Sequence, residues 1–236
     1  MDLFLSEVRP GVQVAPADHR AIERVRHPGA RAKIATRRML TRTALGRRLD
    51  LEPVAVEITR TCVRCGHLTH GRPRVVGGPE FSASATHEVA VVAIAGCPVG
   101  ADVERLDRVP ADEADDIARS VLTRSEARRF TGLCADRSRA LVEAWSRKEA
   151  VGKASGIGAG DAAIVDVGPP VVLHDGHRWW VTTLWLTSQT VLSIATARPH
   201  RPLTLSTIDL TPPQGREPAS SAGPGVVEVE EVSCEG

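Results

Sequence analysis

The chain has few of the features that mark membrane, secreted or nucleic-acid-binding proteins. Only 3% of its 236 residues are aromatic, and its five cysteines are an odd number spread thinly, so we expect no disulfide framework. The longest apolar run, Val89 to Cys97, is far too short to cross a bilayer, and the N-terminus lacks the basic start and apolar stretch of a signal peptide. We therefore expect a soluble, cytoplasmic protein.

Lysine and net charge are also low. Of the 30 basic residues only three are lysines, at positions 33, 148 and 153, and the formal net charge is +1. Residues 20–48 nevertheless hold ten basic residues against one acid, and residues 102–116 hold seven acids against two arginines. Such segments fit a polyanionic ligand held with the help of a cation, although two solvated helix faces of opposite sign explain the charges equally well.

Apolar periodicity predicts a helix and then a hairpin in the first part of the chain. Residues 17–49 place apolar side chains at helical spacing, with arginines on the outer face. Residues 51–58 alternate like a strand. After a Cys/Gly/Pro-rich loop, Val89–Ala95 and Val99–Glu104 are predicted to pair as a hairpin across residues 96–98.

The same order is predicted again in the second part of the chain. Residues 111–154 are helical in character, with a capping box at Thr123 and Glu126, and residues 171–197 read as two paired strands. From Pro212 the chain is rich in Pro, Gly and Ser and has little to bury. We therefore predict an α/β protein with an N-terminal half over 1–105, a C-terminal half over 106–205 and a disordered tail over 206–236.

Two carboxylates stand side by side at the end of the strand that carries Gly100-Ala101-Asp102-Val103-Glu104. Residues i and i+2 share one face of a strand, so Asp102 and Glu104 lie together. Carboxylates so placed repel each other unless a cation lies between them, and Mg²⁺ prefers such oxygen ligands completed by water and a substrate phosphate. The alternative is a surface strand end with two unrelated acids.

A second charged pair lies on the predicted helix that carries Trp145-Ser-Arg-Lys-Glu-Ala-Val-Gly-Lys153. Glu149 and Lys153 are four residues apart and share a face, so an ordinary salt bridge would explain them. Two of the three lysines nevertheless fall between residues 148 and 153. This favours a third metal-binding carboxylate with an ammonium nearby to meet a phosphate.

Two short segments carry weaker signals. Gly71-Arg72-Pro73 and Phe81-Ser-Ala-Ser-Ala-Thr86 offer small residues and hydroxyls that a phosphate could approach, but they lack P-loop spacing.

A third segment, in the Cys/Gly/Pro-rich loop, holds Cys62, Cys65, His67 and His70, which resemble a zinc site. A single CxxC with two close histidines is much weaker than one repeated at finger spacing. We therefore do not expect a structural zinc at Cys62 and Cys65. We expect these loop cysteines to be reduced instead.

Taken in order, these segments resemble a known enzyme family. GRP, FSASAT, VGADVE and WSRKEAVGK followed by GIG are similar to the GKP, FNxSHS, GxDxE and WxxKEAxxK patterns, with a following GxG, of the Sfp-type 4'-phosphopantetheinyl transferases. The resemblance covers about residues 20–197. It implies an α/β (α+β) fold of two similar halves related by a pseudo-two-fold axis, with coenzyme A and the active site in the cleft between them.

The resemblance also implies a reaction. The serine hydroxyl of an apo carrier protein would attack the β-phosphate of coenzyme A, the co-substrate, leaving 3',5'-ADP and a loaded carrier. Asp102, Glu104 and Glu149 would coordinate Mg²⁺, with Mn²⁺ as an alternative. Glu149 would act as general base and Lys153 would neutralise charge on the leaving phosphate.

Further residues are implied to bind coenzyme A. Arg72 stands at the lysine of GKP and would contact a phosphate, and Ser84 and Thr86 keep hydroxyls of the FNxSHS block. Lys33 is the best single candidate for the 3'-phosphate and Arg24 is the next.

The chain departs from the family pattern at two positions. Ser82 replaces the asparagine of FNxSHS and Ala85 replaces its histidine. We hypothesise that His87, two residues on, contacts the same phosphate.

Three functions follow from these residues. The favoured one is a Mg²⁺-dependent transferase acting on apo acyl or peptidyl carrier proteins of fatty-acid, polyketide or nonribosomal peptide assembly, working as a monomer without nucleic acid or membrane. A degenerate relative that binds coenzyme A or a carrier without catalysis is the alternative. A zinc-loop nucleic-acid binder ranks last, because aromatics are few, the charge is near neutral and WSRKEAVGK stays unexplained.

Overall fold

The computed structural model describes residues 1–61, 65–67, 71–132, 136–156, 165–199 and 203–211, and the backbone of 227–229. These residues include five α-helices, together with eleven strands that form three sheets, so the predicted mixed α/β class is confirmed. No helix in this part of the chain is long and apolar enough to cross a membrane.

The described part of the chain holds sixteen α-helices and strands. In order they are β1 (Asp2–Glu7), α1 (Pro16–Glu23), α2 (Pro28–Leu49), β2 (Thr59–Arg60), β3 (Pro73–Arg74), β4 (Glu80–Ala85), β5 (Val89–Ala95), β6 (Val99–Arg105), α3 (Ala114–Val121), α4 (Arg124–Thr131), α5 (Arg137–Ser155), β7 (Val171–His174), β8 (His177–Thr187), β9 (Thr190–Thr196), β10 (Thr204–Thr207) and β11 (Val227–Val229).

Two sheets are stacked between two long helices. The first has the strand order β11-β10-β1-β5-β4 and the second β6-β9-β8-β7, while β2 and β3 form a separate ribbon. Helix α2 packs on one face of the first sheet through Leu40 and Leu45, and α5 packs on one face of the second through Ala150 and Val151. The opposite faces of the two sheets meet through a shared apolar cluster that includes Leu3, Val91, Ala101 and Leu192.

The predicted hairpin of Val89–Ala95 with Val99–Glu104 is wrong. Strand β5 pairs with β1 and β4, whereas β6 pairs with β9 in the other sheet. Both strands are almost wholly buried, because each has a helix on one side and the other sheet on its opposite side. The chain therefore changes sheets at residues 96–98 instead of turning back along the same sheet.

Other sequence predictions have mixed outcomes. The capping box at Thr123 and Glu126 is confirmed, and β8 and β9 are paired as expected. The predicted strand over 51–58 is wrong: Pro53–Ala55 form a 3₁₀ turn and Val54 is exposed. A proline removes one ladder donor, which disfavours a strand there.

The boundary of the predicted tail is also corrected. β10 lies within the range predicted as C-terminal half and tail, yet it pairs in parallel with β1 of the first sheet. Ile208, just beyond it, is only 1% exposed in the core under α2. The backbone of Val227–Val229 pairs with β10 in turn.

Candidate active site between β6 and α5

Helix α5 lies against β6 because residue 100 is glycine. A Cβ at Gly100 would stand 1.9 Å from the carbonyl oxygen of Ala150 and 2.5 Å from the amide nitrogen of Ala154. The hydroxyl of Ser146 also donates to the carbonyl of Asp102 at 3.0 Å. These contacts bring the last turns of the helix onto the strand that carries the predicted carboxylates.

Asp102 is the buried centre of this contact, with only 3% of its surface exposed. Its Oδ1 accepts hydrogen bonds from Ser84 Oγ at 2.9 Å and from Lys153 Nζ at 2.6 Å. Its Oδ2 is buried and has no hydrogen-bond partner in the described part of the chain. A buried carboxylate oxygen without a donor is costly, so Asp102 has one oxygen that a ligand could use.

Glu104 and Glu149 share the electrostatic environment of Asp102. Burial, followed by the charge of Asp102, raises the pKa of Glu104 to about 7. Burial and Asp102 likewise raise the pKa of Glu149. Arg108 offsets part of this repulsion, with its Nε 3.5 Å from Glu104 Oε1.

The structure therefore brings the three predicted carboxylates together, and neither acid of β6 lies on an open surface. The grouping does not amount to a closed ligand set. Among the described residues, no three His, Cys, Asp or Glu side chains are arranged to hold a metal ion. The ammonium of Lys153 lies against Asp102 and supplies a positive charge from the chain itself.

The lysines of α5 have different roles. Lys153 forms its ion pair with Asp102 and also donates to the carbonyl of Ala101 at 3.2 Å, so it does not form the simple pair with Glu149 that helical spacing allows. Lys148 is buried and pairs with Glu126 on α4 at 2.8 Å. Glu126 in turn caps α4 and accepts from the amide of Val167. Lys148 thus fastens α5 to its neighbours instead of facing the site.

The FSASAT segment forms β4 and divides between two faces. Ser84 faces β6 and contacts Asp102, so it lies in the site although its observed partner is a carboxylate. Ala85 packs against the apolar core beneath α2, which leaves an apolar surface where the family has histidine. The Thr86 hydroxyl accepts from the amides of Glu88 and Val89 at 3.1 Å and shapes the turn to β5. His87 in that turn is exposed, with its Nε2 3.8 Å from Glu88.

An arginine cluster that the sequence did not single out lies on the other half. Arg38 and Arg42 of α2 both pair with the buried Asp18, Arg42 at 2.7 Å. Burial, followed by repulsion from Arg38, lowers the pKa of Arg37 and of Arg60. Arg60 adds to the lowering at Arg37, and Asp18 offsets part of it at Arg60. Asp18 thus pairs with two arginines and acts on Arg60, while Arg37 is repelled by Arg38 and Arg60, and this local excess of positive charge favours an anion.

The residues predicted for the 3'-phosphate stand less centrally. Lys33 is half-buried on α2, and Arg24 is exposed immediately after α1. The basic residues at 20–48 include Arg37, Arg38 and Arg42 of this cluster. Their density does not single out Arg37, and Arg60 lies outside that segment.

Comparison with known proteins bears on the second half of the site. Residues 98–196 match the family model of the 4'-phosphopantetheinyl transferase superfamily. This segment is a 4'-phosphopantetheinyl transferase superfamily domain. No curated protein matches the chain. At the level of the family, this match supports a phosphopantetheinyl transferase activity.

The transferase superfamily domain runs from the turn before β6 to the end of β9, and it contains Asp102, Glu104, Glu149 and Lys153. The matched segment excludes the other predicted site residues, which are Arg24, Lys33, Arg72, Ser84, Thr86 and His87. Cys62 and His70, on which the zinc prediction partly depends, lie outside the described residues.

Proposed function

We propose that the chain is an Sfp-type 4'-phosphopantetheinyl transferase, which transfers the phosphopantetheine arm of coenzyme A to a serine of an apo carrier protein and releases 3',5'-ADP. The observation that carries the proposal is the group formed by the buried Asp102 and the half-buried Glu104 and Glu149, with Lys153 on Asp102, inside a transferase superfamily domain. We also propose an N-terminal and a C-terminal half, with coenzyme A between them.

The carboxylate group fits a divalent cation. Asp102 has a buried oxygen without a partner in the described part of the chain. Burial, followed by the charge of Asp102, raises the pKa values of Glu104 and Glu149, and Arg108 and Lys153 offset only part of this effect. Mg²⁺ prefers such oxygen ligands, and Mn²⁺ is an alternative. In this proposal Asp102, Glu104 and Glu149 would hold the ion, which would supply positive charge beside the pyrophosphate of coenzyme A.

The chain's own groups would carry the proton and the charge. Glu149 would accept the proton of the carrier serine, and a pKa raised by burial suits a general base working near neutral pH. The serine oxygen would form a bond to the β-phosphorus while the bond from that phosphorus to 3',5'-ADP breaks. Lys153 would meet the charge that collects on the leaving phosphate.

Coenzyme A would bring a third phosphate to the arginine cluster. Arg37 and Arg60 are partly buried and repelled by Arg38, so a phosphate dianion would relieve that repulsion. We propose these two arginines as its principal ligands, with Lys33 and Arg24 as further contacts. Ser84, Thr86 and His87 remain proposed contacts to the coenzyme.

The wider setting is part of the proposal. The partners would be apo acyl or peptidyl carrier proteins of fatty-acid, polyketide or nonribosomal peptide assembly, and the protein would act in the cytoplasm as a monomer, without nucleic acid or membrane. Carrier proteins are acidic near their modified serine, so the arginine-rich face of α2 offers them a complementary charge.

A second candidate is a relative that binds coenzyme A or a carrier without catalysis. It is favoured by Ala85, which presents an apolar side chain to the core at the position of the family histidine. This candidate predicts binding of coenzyme A without release of 3',5'-ADP.

The test is the rate of 3',5'-ADP release from coenzyme A in the presence of an apo carrier protein. Glu149→Gln should lower kcat about 100-fold or more, because a general base contributes that much. Glu143→Gln is the matched control: it lies on the same helix, faces Trp185 at 3.4 Å and should leave kcat nearly unchanged. Equal rates for wild type and Glu149→Gln would remove the proposed role of this carboxylate.

A further inference from the structure

Arg72 is the most heavily engaged arginine near the site. Its Nη1 donates to the carbonyl of Ala154 at 2.9 Å, and its Nη2 donates to the carbonyl of Val99 at 3.2 Å. Nη2 also lies 2.7 Å from Glu80 Oε2 in a salt bridge, and only 11% of the side chain is exposed. One guanidinium thus joins β4, the start of β6 and the end of α5.

The contact at Ala154 satisfies a specific need of α5. The last four carbonyls of a helix have no partner within the helix, and a cation near them is favoured by the helix dipole. Ala154 is within the final turn of α5, next to Lys153, and Val99 is three residues before Asp102. Arg72 therefore grips both elements beside the ion pair of Lys153 with Asp102.

A phosphate would meet a poor receptor in this guanidinium. Both terminal nitrogens already donate to protein oxygens, Nε is buried without a hydrogen-bond partner among the described residues, and a phosphate bound there would stand close to the Glu80 carboxylate. Among the described residues, Asp18 is the acid that acts on Arg60, and Arg38 and Arg42 already hold it.

We propose that Arg72 is a positioning residue that holds the end of α5 on β6, and that it is not a phosphate ligand of coenzyme A. The proposal rests on the proposed function, and it replaces the role that resemblance to the GKP motif implies for this position. Loss of Arg72 would let the end of α5 move away from Asp102, which would misplace Lys153 and Glu149 while leaving the arginine cluster intact.

Steady-state kinetics separate the two roles. For Arg72→Met we expect kcat to fall about tenfold or more, since small displacements of catalytic groups are costly, with the KM for coenzyme A changed less than about twofold. Binding of 3',5'-ADP, measured by calorimetry, should also stay within about twofold. Arg72→Lys should recover only part of kcat, because a compact ammonium cannot span three acceptors in the way a guanidinium does.

The opposite pattern would overturn the proposal: an increase in KM for coenzyme A with kcat unchanged, restored by Arg72→Lys, would make Arg72 a phosphate ligand. Arg74→Met is the matched control, since Arg74 lies two residues further along the chain, is 59% exposed and lies 3.8 Å from Glu80. It should change neither constant.

Hydrogen exchange tests positioning independently of turnover. Amides at the end of α5 should lose protection in Arg72→Met and in Arg72→Lys, but not in Arg74→Met. Unchanged protection in both Arg72 variants would contradict the proposal. If the wild type modifies no carrier, the proposed function fails, while exchange still decides whether Arg72 holds α5. If Arg72→Met does not fold, Arg72→Lys supplies both readouts.

Discussion

Asp102 concentrates most of the site's chemistry in one side chain. Its Oδ1 is held by Ser84 and Lys153, while its Oδ2 has no donor in the described part of the chain. Burial, followed by the charge of Asp102, raises the pKa of Glu104 and of Glu149. Lys153 compensates one of these three carboxylates, and a further cation would offset the charge that remains.

Glu104 should make the stability of the metal-free protein depend on pH. Because its pKa is raised from 4.5 to about 7, the folded state binds this proton more tightly than the unfolded chain. The contribution to the free energy of unfolding is fully present below pH 4.5 and is lost as the pH rises through about 7. Thermal melts across this range should show the loss in wild type but not in Glu104→Gln, and Mg²⁺ should reverse it at alkaline pH. Parallel declines in both proteins would contradict this account of Glu104.

The arginine cluster should determine affinity for coenzyme A. Arg37→Gln and Arg60→Gln should each raise the KM for coenzyme A about tenfold, since hydrogen bonds to charged groups contribute about 1.5–3 kcal/mol. Arg48→Gln, an exposed position at the far end of α2, is the control and should have little effect. A larger effect from Lys33→Gln than from Arg37→Gln would favour the original sequence-based choice.

At the level of elements, the site depends on how closely α5 approaches β6. The glycine of GADVE has a steric role, because a side chain there would overlap the backbone of the helix. Lys148 and Arg72 then fasten the helix at two places, through Glu126 and through Val99. The acids on β6 and those on α5 can therefore act together only if this contact is kept.

Gly100→Ala should disturb stability and activity together. We expect a loss of about 1–3 kcal/mol in the free energy of unfolding, typical of overpacking, and a lower kcat because α5 must move. Gly96→Ala is the control, since Gly96 is exposed and a Cβ there would meet nothing within 4 Å. Chemical denaturation would measure both variants, and equal stability of the two would argue against close packing at Gly100.

Local patterns predicted some elements and not others. The capping box at Thr123 and the β8–β9 hairpin depend on residues near each other in sequence, and both are confirmed. Strands β5 and β6 were assigned to one hairpin because both are apolar and joined by a turn. Strands that are buried on both faces carry no sequence signal for whether they pair edge to edge or pack face to face.

For the whole molecule, the first and last parts of the chain meet in one sheet. Asp2 to Leu5 pair in parallel with Thr204 to Thr207, so the first sheet cannot be completed without residues that follow the transferase superfamily domain. Composition predicted a disordered tail from residue 206, but the boundary could not be read from composition because Ile208 is a single buried side chain among polar neighbours.

Truncation should reveal this closure. A chain ending at residue 211 keeps β10 and Ile208 and should stay folded, although it loses the β11 pairing. A chain ending at residue 203 should lose at least about 2–5 kcal/mol of unfolding free energy, the usual cost of removing one large core side chain. Denaturant melts of the two chains provide the comparison, and equal stability would mean that β10 is dispensable.

The candidate site was predicted unevenly across the molecule. Strand and helix spacing pair Asp102 with Glu104 and Glu149 with Lys153. Only the resemblance to the transferase family joins the two pairs into one site. The cluster of Arg37, Arg38 and Arg60 could not, because it depends on how α2 packs against a distant loop. Likewise, Arg72 was linked to a phosphate from its motif, whereas its contacts tie it to α5.

The most direct measurement is the intact mass of a panel of apo carrier proteins after incubation with this protein and coenzyme A, with and without Mg²⁺. The account predicts a mass gain equal to one phosphopantetheine group on at least one carrier, dependent on Mg²⁺ and lost in Glu149→Gln. No gain on any carrier, despite measurable binding of coenzyme A, would contradict the transferase assignment and favour the binding protein indicated by Ala85.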